Sequence, residues 1–199
     1  MELCQSFFTL KPPTSLKLRS ETLSGTLEAL TSGQADLALG VAVQAGSRAD
    51  LLRESLGSVH FVFAVSPHHP LAQAPEPLTD ETIRPYRAVV LADSTQRGDG
   101  LTIRLLPGQE VMTVPDLPAK LDAQLRGLGV GFLPTCLAQP YIDTGRLVVK
   151  QTEQGEQQLQ FYYAWRKSGR GSQGRALRWW LEQLQSPVTR AALLAERRS

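Results

Sequence analysis

The sequence predicts an α/β protein of two lobes, and three observations carry that reading. A strand–helix–strand order is written twice, over residues 16–40 and again, behind a leading helix, within residues 117–149, and each unit buries a helix face on strands. The two units share a pattern but no fixed period, so they do not form a sequence repeat. Finally, a strand at residues 159–165 and a last helix lead the chain back toward its start. A path that leaves one lobe, builds a second and returns makes two crossings and leaves a cleft between the lobes.

The first helix places Leu3, Phe7 and Leu10 on one side and stops at Pro12-Pro13. A strand over residues 16–21 follows, with Leu16 and Leu18 alternating. Thr22-Leu23-Ser24 begins a helix carrying Leu23, Leu27 and Leu30, Gly33 ends it, and residues 36–40 form the next strand. Residues 42–54 read as a polar loop or hairpin approach. Residues 58–65 are the strongest strand, with Val59, Phe61, Phe63 and Val65 on one side. The run Ser66-Pro67-His68-His69-Pro70-Leu71 breaks it and is a hinge candidate, continued by Pro75 and Pro77. Residues 86–91 form a buried strand with Ala92-Asp93-Ser94-Thr95 at its carboxyl end, and residues 96–101 read as a mobile, glycine-rich loop.

The most explicit stretch follows. Asp116 can accept from the free N–H groups of a first helical turn, and Pro118 is tolerated only in such a turn. Leu117, Leu121 and Leu125 then give one buried stripe, and Gly127 a left-handed stop with Leu128 covering the last turn. Residues 130–133 are a short apolar strand ended by Pro134. A short helix comes next, and the Asp143-Thr144-Gly145 turn enters a strand at residues 147–149. The final helix spans residues 173–185 with Leu177, Trp180, Leu181 and Leu184 on one face, closed by Pro187.

Bulk properties exclude several classes. The 199 residues are 42% hydrophobic and 20% charged, ordinary for a globular protein with a real core. No apolar run approaches the roughly 18 residues of a membrane span, and the start lacks a basic, cleavable leader, so a cytoplasmic location is expected. Net charge is +2, too small to imply nucleic-acid binding. Basic residues cluster from Arg166 onward; a solvated helix face with a basic tail accounts for them, since no reading head precedes a DNA-facing patch. Cys4 and Cys136 read as small buried hydrophobes rather than a redox pair.

Candidate chemistry is sparse. His68 and His69 are adjacent, so on extended backbone they face opposite ways, and a proline-bounded surface turn explains them better than a metal site. There is no G-x-S-x-G elbow, no Walker loop, and Gly98-Asp99-Gly100 is too short to cradle phosphate. No catalytic residue, metal or cofactor is therefore assigned. Trp165, Trp179 and Trp180 read as packing.

The chain resembles the effector-binding domain of LysR-type transcriptional regulators. The resemblance is carried by Glu28-Ala29-Leu30 through Gly33-Gln34-Ala35-Asp36-Leu37-Ala38-Leu39, then by Phe61-Val62-Phe63-Ala64-Val65 with His69-Pro70-Leu71-Ala72. Gly127-Leu128-Gly129-Val130-Gly131-Phe132-Leu133-Pro134 and Gly145-Arg146-Leu147-Val148 complete it. It implies the fold of periplasmic type II binding proteins, two Rossmann-like lobes joined by two crossover strands. Residues 1–65 and 163–199 would form the first lobe and residues 66–162 the second. It also implies a small-molecule effector sensed between the lobes, and a homodimer or higher oligomer, with the helix after Thr22 and the strand around Phe61 as candidate pairing elements. DNA would be reached only through a helix-turn-helix domain outside this sequence. The family's first strand is also missing from the first lobe, leaving a gap for another segment or a partner to fill. A transporter's solute-binding protein and a small α/β enzyme stay open as alternatives.

Ligands of open α/β sheets lie beyond the carboxyl ends of strands, at helix N-termini. That rule selects Thr22, Leu23 and Ser24 in the first lobe, and Asp93, Ser94 and Thr95 together with Val114, Pro115 and Asp116 in the second. The resemblance points to the same loops, with Gly131 and Phe132 lining the floor. Ser24, Ser94 and Thr95 are the expected donors to a polar or anionic ligand. Thr22, Ser24 and Asp116 read equally as plain helix caps, and a carboxylate at 116 would repel an anion.

Overall fold

The computed structural model describes residues 1–11, 13–42, 50–95, 105–167 and 174–195. Helix α1 (Glu2–Thr9) buries Phe7, whose ring lies 5.2 Å from that of Trp179 and 5.6 Å from that of Trp180. Leu10, expected on the same side, falls past the last turn and is exposed. The strand predicted over residues 16–21 does not form. No ladder takes up this segment, and Leu18 is exposed between Lys17 and Arg19, so the segment has no apolar face to bury.

Helix α2 (Gly25–Thr31) begins at Gly25 rather than at Thr22, because Leu23 holds a left-handed φ of 51° that no helix continues. Leu30 is fully buried, and Gly33, at φ 80°, ends the helix as predicted. Strand β1 (Leu37–Ala42) follows. Strand β2 (Leu51–Val65) is longer than its apolar alternation suggested, so residues 51–54 belong to a strand and not to the predicted loop. Their partner is β7 (Gln157–Arg166), antiparallel from Leu51↔Arg166 to Phe61↔Gln157. Leu52, Arg53, Glu54 and Ser55 are all exposed, so no hydrophobic alternation marks this half of the strand.

β7 also pairs with β1, and so lies between β1 and β2, antiparallel to both. Among the described strands β1 pairs with β7 alone, so it stands at the edge of the sheet. The end of β2 pairs with β5 (Gly131–Pro134) and β6 (Val148–Lys150). A parallel pair, β3 (Ala88–Leu91) and β4 (Val111–Val114), is joined to that region by a parallel bridge between Ala88 and Val130. β2 and β7 are the crossovers that link the lobes.

Helix α4 (Leu117–Leu125) has the predicted signals in place. Asp116 accepts from the Ala119 N–H at 2.8 Å, and Gly127, at φ 70°, ends the helix. Leu128 does not cover the last turn: its side chain is exposed, and only its amide contributes, donating to the Ala123 carbonyl at 3.0 Å. Gln124 is fully buried, and its Nε2 donates to Ala64 O at 2.7 Å and Gly131 O at 2.9 Å, fastening α4 to both β2 and β5. Helix α5 (Thr135–Asp143) then leads through the Gly145 turn into β6.

The hinge candidate is a turn followed by a 3-10 helix (Pro70–Gln73). His69 is not on the surface as expected. It is buried, its Nδ1 accepts from Leu71 N–H at 3.2 Å, its ring meets that of Tyr86 at 4.8 Å, and burial lowers its pKa. His68, facing away, stays exposed. A short helix α3 (Asp80–Ile83), capped by Thr79, separates this turn from β3. Helix α6 (Arg175–Gln185) packs Leu181 and Leu184 with Leu56, Tyr163 and Trp165. Pro187 does not simply close it; Ser186 caps a further helix α7 (Pro187–Leu194) with Pro187 at its first position, where the missing N–H costs nothing. Cys4 and Cys136 are half-buried. Residues 96–101, read as a mobile loop, lie outside the described residues.

Candidate functional site

Between the lobes lies a cavity of about 520 Å³. The first lobe contributes Thr22, Leu23, Thr26 and Leu39, and the second Val89, Leu117, Lys120, Gly131 and Phe132. The crossover strands supply Phe61, Phe63, Leu159 and Phe161. The size and the largely apolar lining suit a small organic molecule.

Of the residues selected from sequence, Thr22, Leu23, Asp116, Gly131 and Phe132 line this cavity, while Ser24, Asp93, Ser94, Thr95 and Pro115 do not. Gly131 is required as glycine: its φ is 155°, and a Cβ there would stand 3.2 Å from the Val89 carbonyl oxygen and 3.5 Å from Lys120 Nζ. Phe132 meets Phe63 edge-on with ring centres 5.3 Å apart.

Four of the five residues outside the cavity, Ser24, Asp93, Ser94 and Thr95, form a hydrogen-bonded latch across the rim. Ser94 Oγ accepts from the Thr22 N–H at 2.9 Å and donates to Glu21 Oε2 at 2.7 Å. The Thr22 hydroxyl donates to the Ala92 carbonyl, and the Ser24 hydroxyl to Asp93. Asp93 Oδ1 also accepts from the N–H groups of Gly25 at 3.2 Å and Thr95 at 3.0 Å, and the Thr95 hydroxyl donates to Glu28. Asp93 thereby caps α2 from the opposite lobe. Ser24 stands at the N-cap of α2 yet makes no side-chain cap bond, so the plain-cap reading holds for Asp116 and not for Ser24. The approach is close: a Cβ on Gly25 would lie 2.0 Å from Ser94 Oγ.

The sequence reading missed Lys120. Half-buried in the cavity wall, it has no ion pair or hydrogen bond among the described residues, and burial pushes its ammonium down from 10.5 to about 8. A usable signal existed: Lys120 follows Leu117 by three residues and precedes the buried Gln124 by four, which puts it beside the inward face of α4. Thr152, also missed, lines the cavity and carries a buried Oγ1 without a partner. The three carboxylates on the lining are all engaged within the protein. Glu21 pairs with Arg19 at 2.6 Å, Asp80 accepts from Gln154 at 3.2 Å, and Asp116 caps α4. The described lining contains no histidine or cysteine, and no group of three or more His, Cys, Asp or Glu among the described residues could hold a metal ion. No described helix is long and apolar enough to cross a membrane.

Comparison with known proteins agrees with this geometry. The family model for the LysR substrate binding domain matches residues 1–187. The chain is 37% identical over 182 residues to YeeY, an uncharacterised HTH-type transcriptional regulator of Escherichia coli, covering 92% of this chain and 58% of that protein. It is 36% identical over 137 residues to the HTH-type transcriptional activator AllS of Klebsiella pneumoniae, covering 69% of this chain and 51% of AllS. The chain thus spans somewhat more than half the length of these relatives. Among solved structures, the regulatory domain of MetR (NMB2055), a LysR family regulator from N. meningitidis, superposes with a TM-score of 0.69 at 20% identity, over 98% of this chain and 88% of that one. Full-length LysG from Corynebacterium glutamicum with bound effector Arg superposes with a TM-score of 0.62 at 22% identity, over 97% and 63% of the two chains.

Proposed function

The chain belongs to the LysR substrate-binding domain family; on that premise we propose that it is the effector-sensing regulatory domain of a LysR-type transcription factor and that a small metabolite is sensed in the cavity between the two lobes. The cavity itself carries the reading: its walls come from both lobes and from both crossover strands, so whatever fills it interacts with the relative placement of the lobes. Thr22, Leu23, Gly131 and Phe132 contact the ligand directly, and Asp116 stands on the same lining while capping α4. Ser24, Asp93, Ser94 and Thr95 act at the rim, where their bonds set how readily the lobes part, and Pro115 holds the turn into α4. The LysG structure with its bound effector Arg supports an effector in this class of domain.

The remainder follows from family and architecture. The lobes comprise residues 1–65 with 163–199, and residues 66–162. Two copies pair, with α2 and the Phe61 region of β2 as contact elements, and DNA is reached through a helix-turn-helix domain outside this sequence. The protein works in the cytoplasm, without catalysis or cofactor. Regulation requires different affinities for two arrangements of the domain, because a ligand that binds both equally shifts nothing.

The test is a thermal-shift screen of the chain against organic acids, amino acids, nucleosides and aromatic metabolites, followed by a structure with any hit. A ligand at 100 times its Kd raises stability by about 2.7 kcal/mol. The reading predicts a hit located between the lobes and recovered unchanged. A cooperative melt that no metabolite class shifts, or a hit converted to product, would sink it.

A further inference from the structure

Two shielded lysines of this chain have opposite surroundings. Lys150, its side chain 9% exposed, meets Glu76 at 3.0 Å and donates to the Ala74 carbonyl at 2.9 Å. Lys120, in the cleft wall, meets no such group among the described residues. The same cavity is lined by Leu117, Val130, Gly131 and Phe132, and a Cβ on Gly131 would stand 3.5 Å from Lys120 Nζ. An ammonium without a counter-charge in an apolar wall is unfavourable, and proteins either pair such a group or leave it neutral. The cleft's own carboxylates are committed elsewhere: Glu21 to Arg19 and the Ser94 hydroxyl, Asp80 to Gln154, and Asp116 to the first turn of α4. A second polar group is also unsatisfied, because Thr152 lines the same cavity, is only 8% exposed and has an Oγ1 without a partner. Buried polar atoms are nearly always bonded, so an orphan in a ligand-sized cavity marks a contact supplied by the ligand.

We propose that the effector is a small organic acid, its anionic group paired with Lys120 and its apolar body packed among Phe61, Phe132 and Leu159, with Thr152 bonding a polar atom of the same molecule. This rests on the cleft being the effector site. The downward pull on the Lys120 pKa agrees with it, since an arriving carboxylate restores the charge that burial disfavours. Paired, hydrogen-bonded ions in a water-poor site also discriminate strongly, because an uncharged analogue leaves the ammonium unmatched.

The experiment is a thermal-shift and calorimetric panel on the whole chain, pairing aliphatic and aromatic carboxylic acids with their own primary amides. The acids are expected to bind and the matching amides not. Binding of the best acid should weaken about tenfold or more in Lys120→Met, hold within about threefold in Lys120→Arg, and weaken a few-fold, about threefold, in Thr152→Val. Should Lys120→Met fail to fold, the acid–amide contrast in the unaltered chain decides alone. Amides binding as well as acids, or acids indifferent to Lys120→Met, would overturn this inference and leave the cleft as sensor. Binding confined to neutral or cationic metabolites would do the same. Absence of binding by every class overturns both.

Discussion

The rim and the floor of the cleft invert the expectation set by their composition. At the rim, Glu21 to Gly25 face Ala92 to Thr95, and polar groups of one lobe find partners on the other. On the floor, among aromatic and aliphatic side chains, one ammonium and one hydroxyl find none. Residue type therefore does not mark which groups remain open to a partner. Satisfaction does: hydroxyls that already bond inside the protein have little left to offer, whereas unsatisfied groups stabilise whatever completes them.

Substitutions at the two places should move stability in opposite directions. The largest loss is expected for Asp93→Ala, which removes one acceptor serving the Ser24 hydroxyl and the Gly25 and Thr95 amides. About 3 kcal/mol should disappear in urea titration, with a larger radius of gyration by small-angle scattering if the latch holds the lobes together. An unchanged radius would show that the bonds follow closure rather than hold it.

Lys120→Met should stabilise the ligand-free chain by about 2 kcal/mol at pH 7. The folded pKa, about 8, lies below the unfolded 10.5, so between these values the unfolded chain binds more protons and stability of the natural protein rises with pH. The penalty is present in full below pH 8 and gone above pH 10.5, so the advantage of Met should fade across that window. A difference independent of pH would show that Lys120 keeps its ordinary pKa in the folded chain and carries no burial penalty.

Smaller effects finish the series. Asp116→Ala should cost about 1 kcal/mol by removing the α4 cap, with Asp116→Asn recovering most of it, by thermal melts. Thr152→Val should raise stability by about 0.5 kcal/mol, since an unbonded hydroxyl is replaced by a methyl. A loss there would reveal a bonded hydroxyl and weaken the floor's side of the comparison.

Legibility of the sequence divides along similar lines. Helix α4 was readable from Asp116 to Gly127 because its start, stripe and stop are local signals. β7 and the apolar half of β2 were readable from hydrophobic runs. The other half of β2 was not, since its partner strand lies more than a hundred residues away and one exposed run gives no alternation. The Ser186-Pro187 pair is ambiguous, because the proline that ends one helix equally begins another. As for the site, the rule for open α/β sheets selected nine residues, of which Thr22, Leu23 and Asp116 line the cavity, and the resemblance added Gly131 and Phe132, which line it too. It could not show which hydroxyls the opposite lobe would claim, nor that a lysine in a first turn would face inward. Both depend on contacts made only after the lobes meet.

The two-strand ribbon of β2 and β7 has a mechanical meaning. It is a torsion bar clamped at both ends by the lobes, and its register slips between Ser55 and Gly57, where a bulge bends and overtwists such a ribbon. Gly57 sits at that weak point with φ 139°, and a Cβ there would lie 2.4 Å from Leu194 Cδ1. The end of α7 is thus seated where the ribbon bends, with Leu194 filling the space that the missing Gly57 side chain leaves.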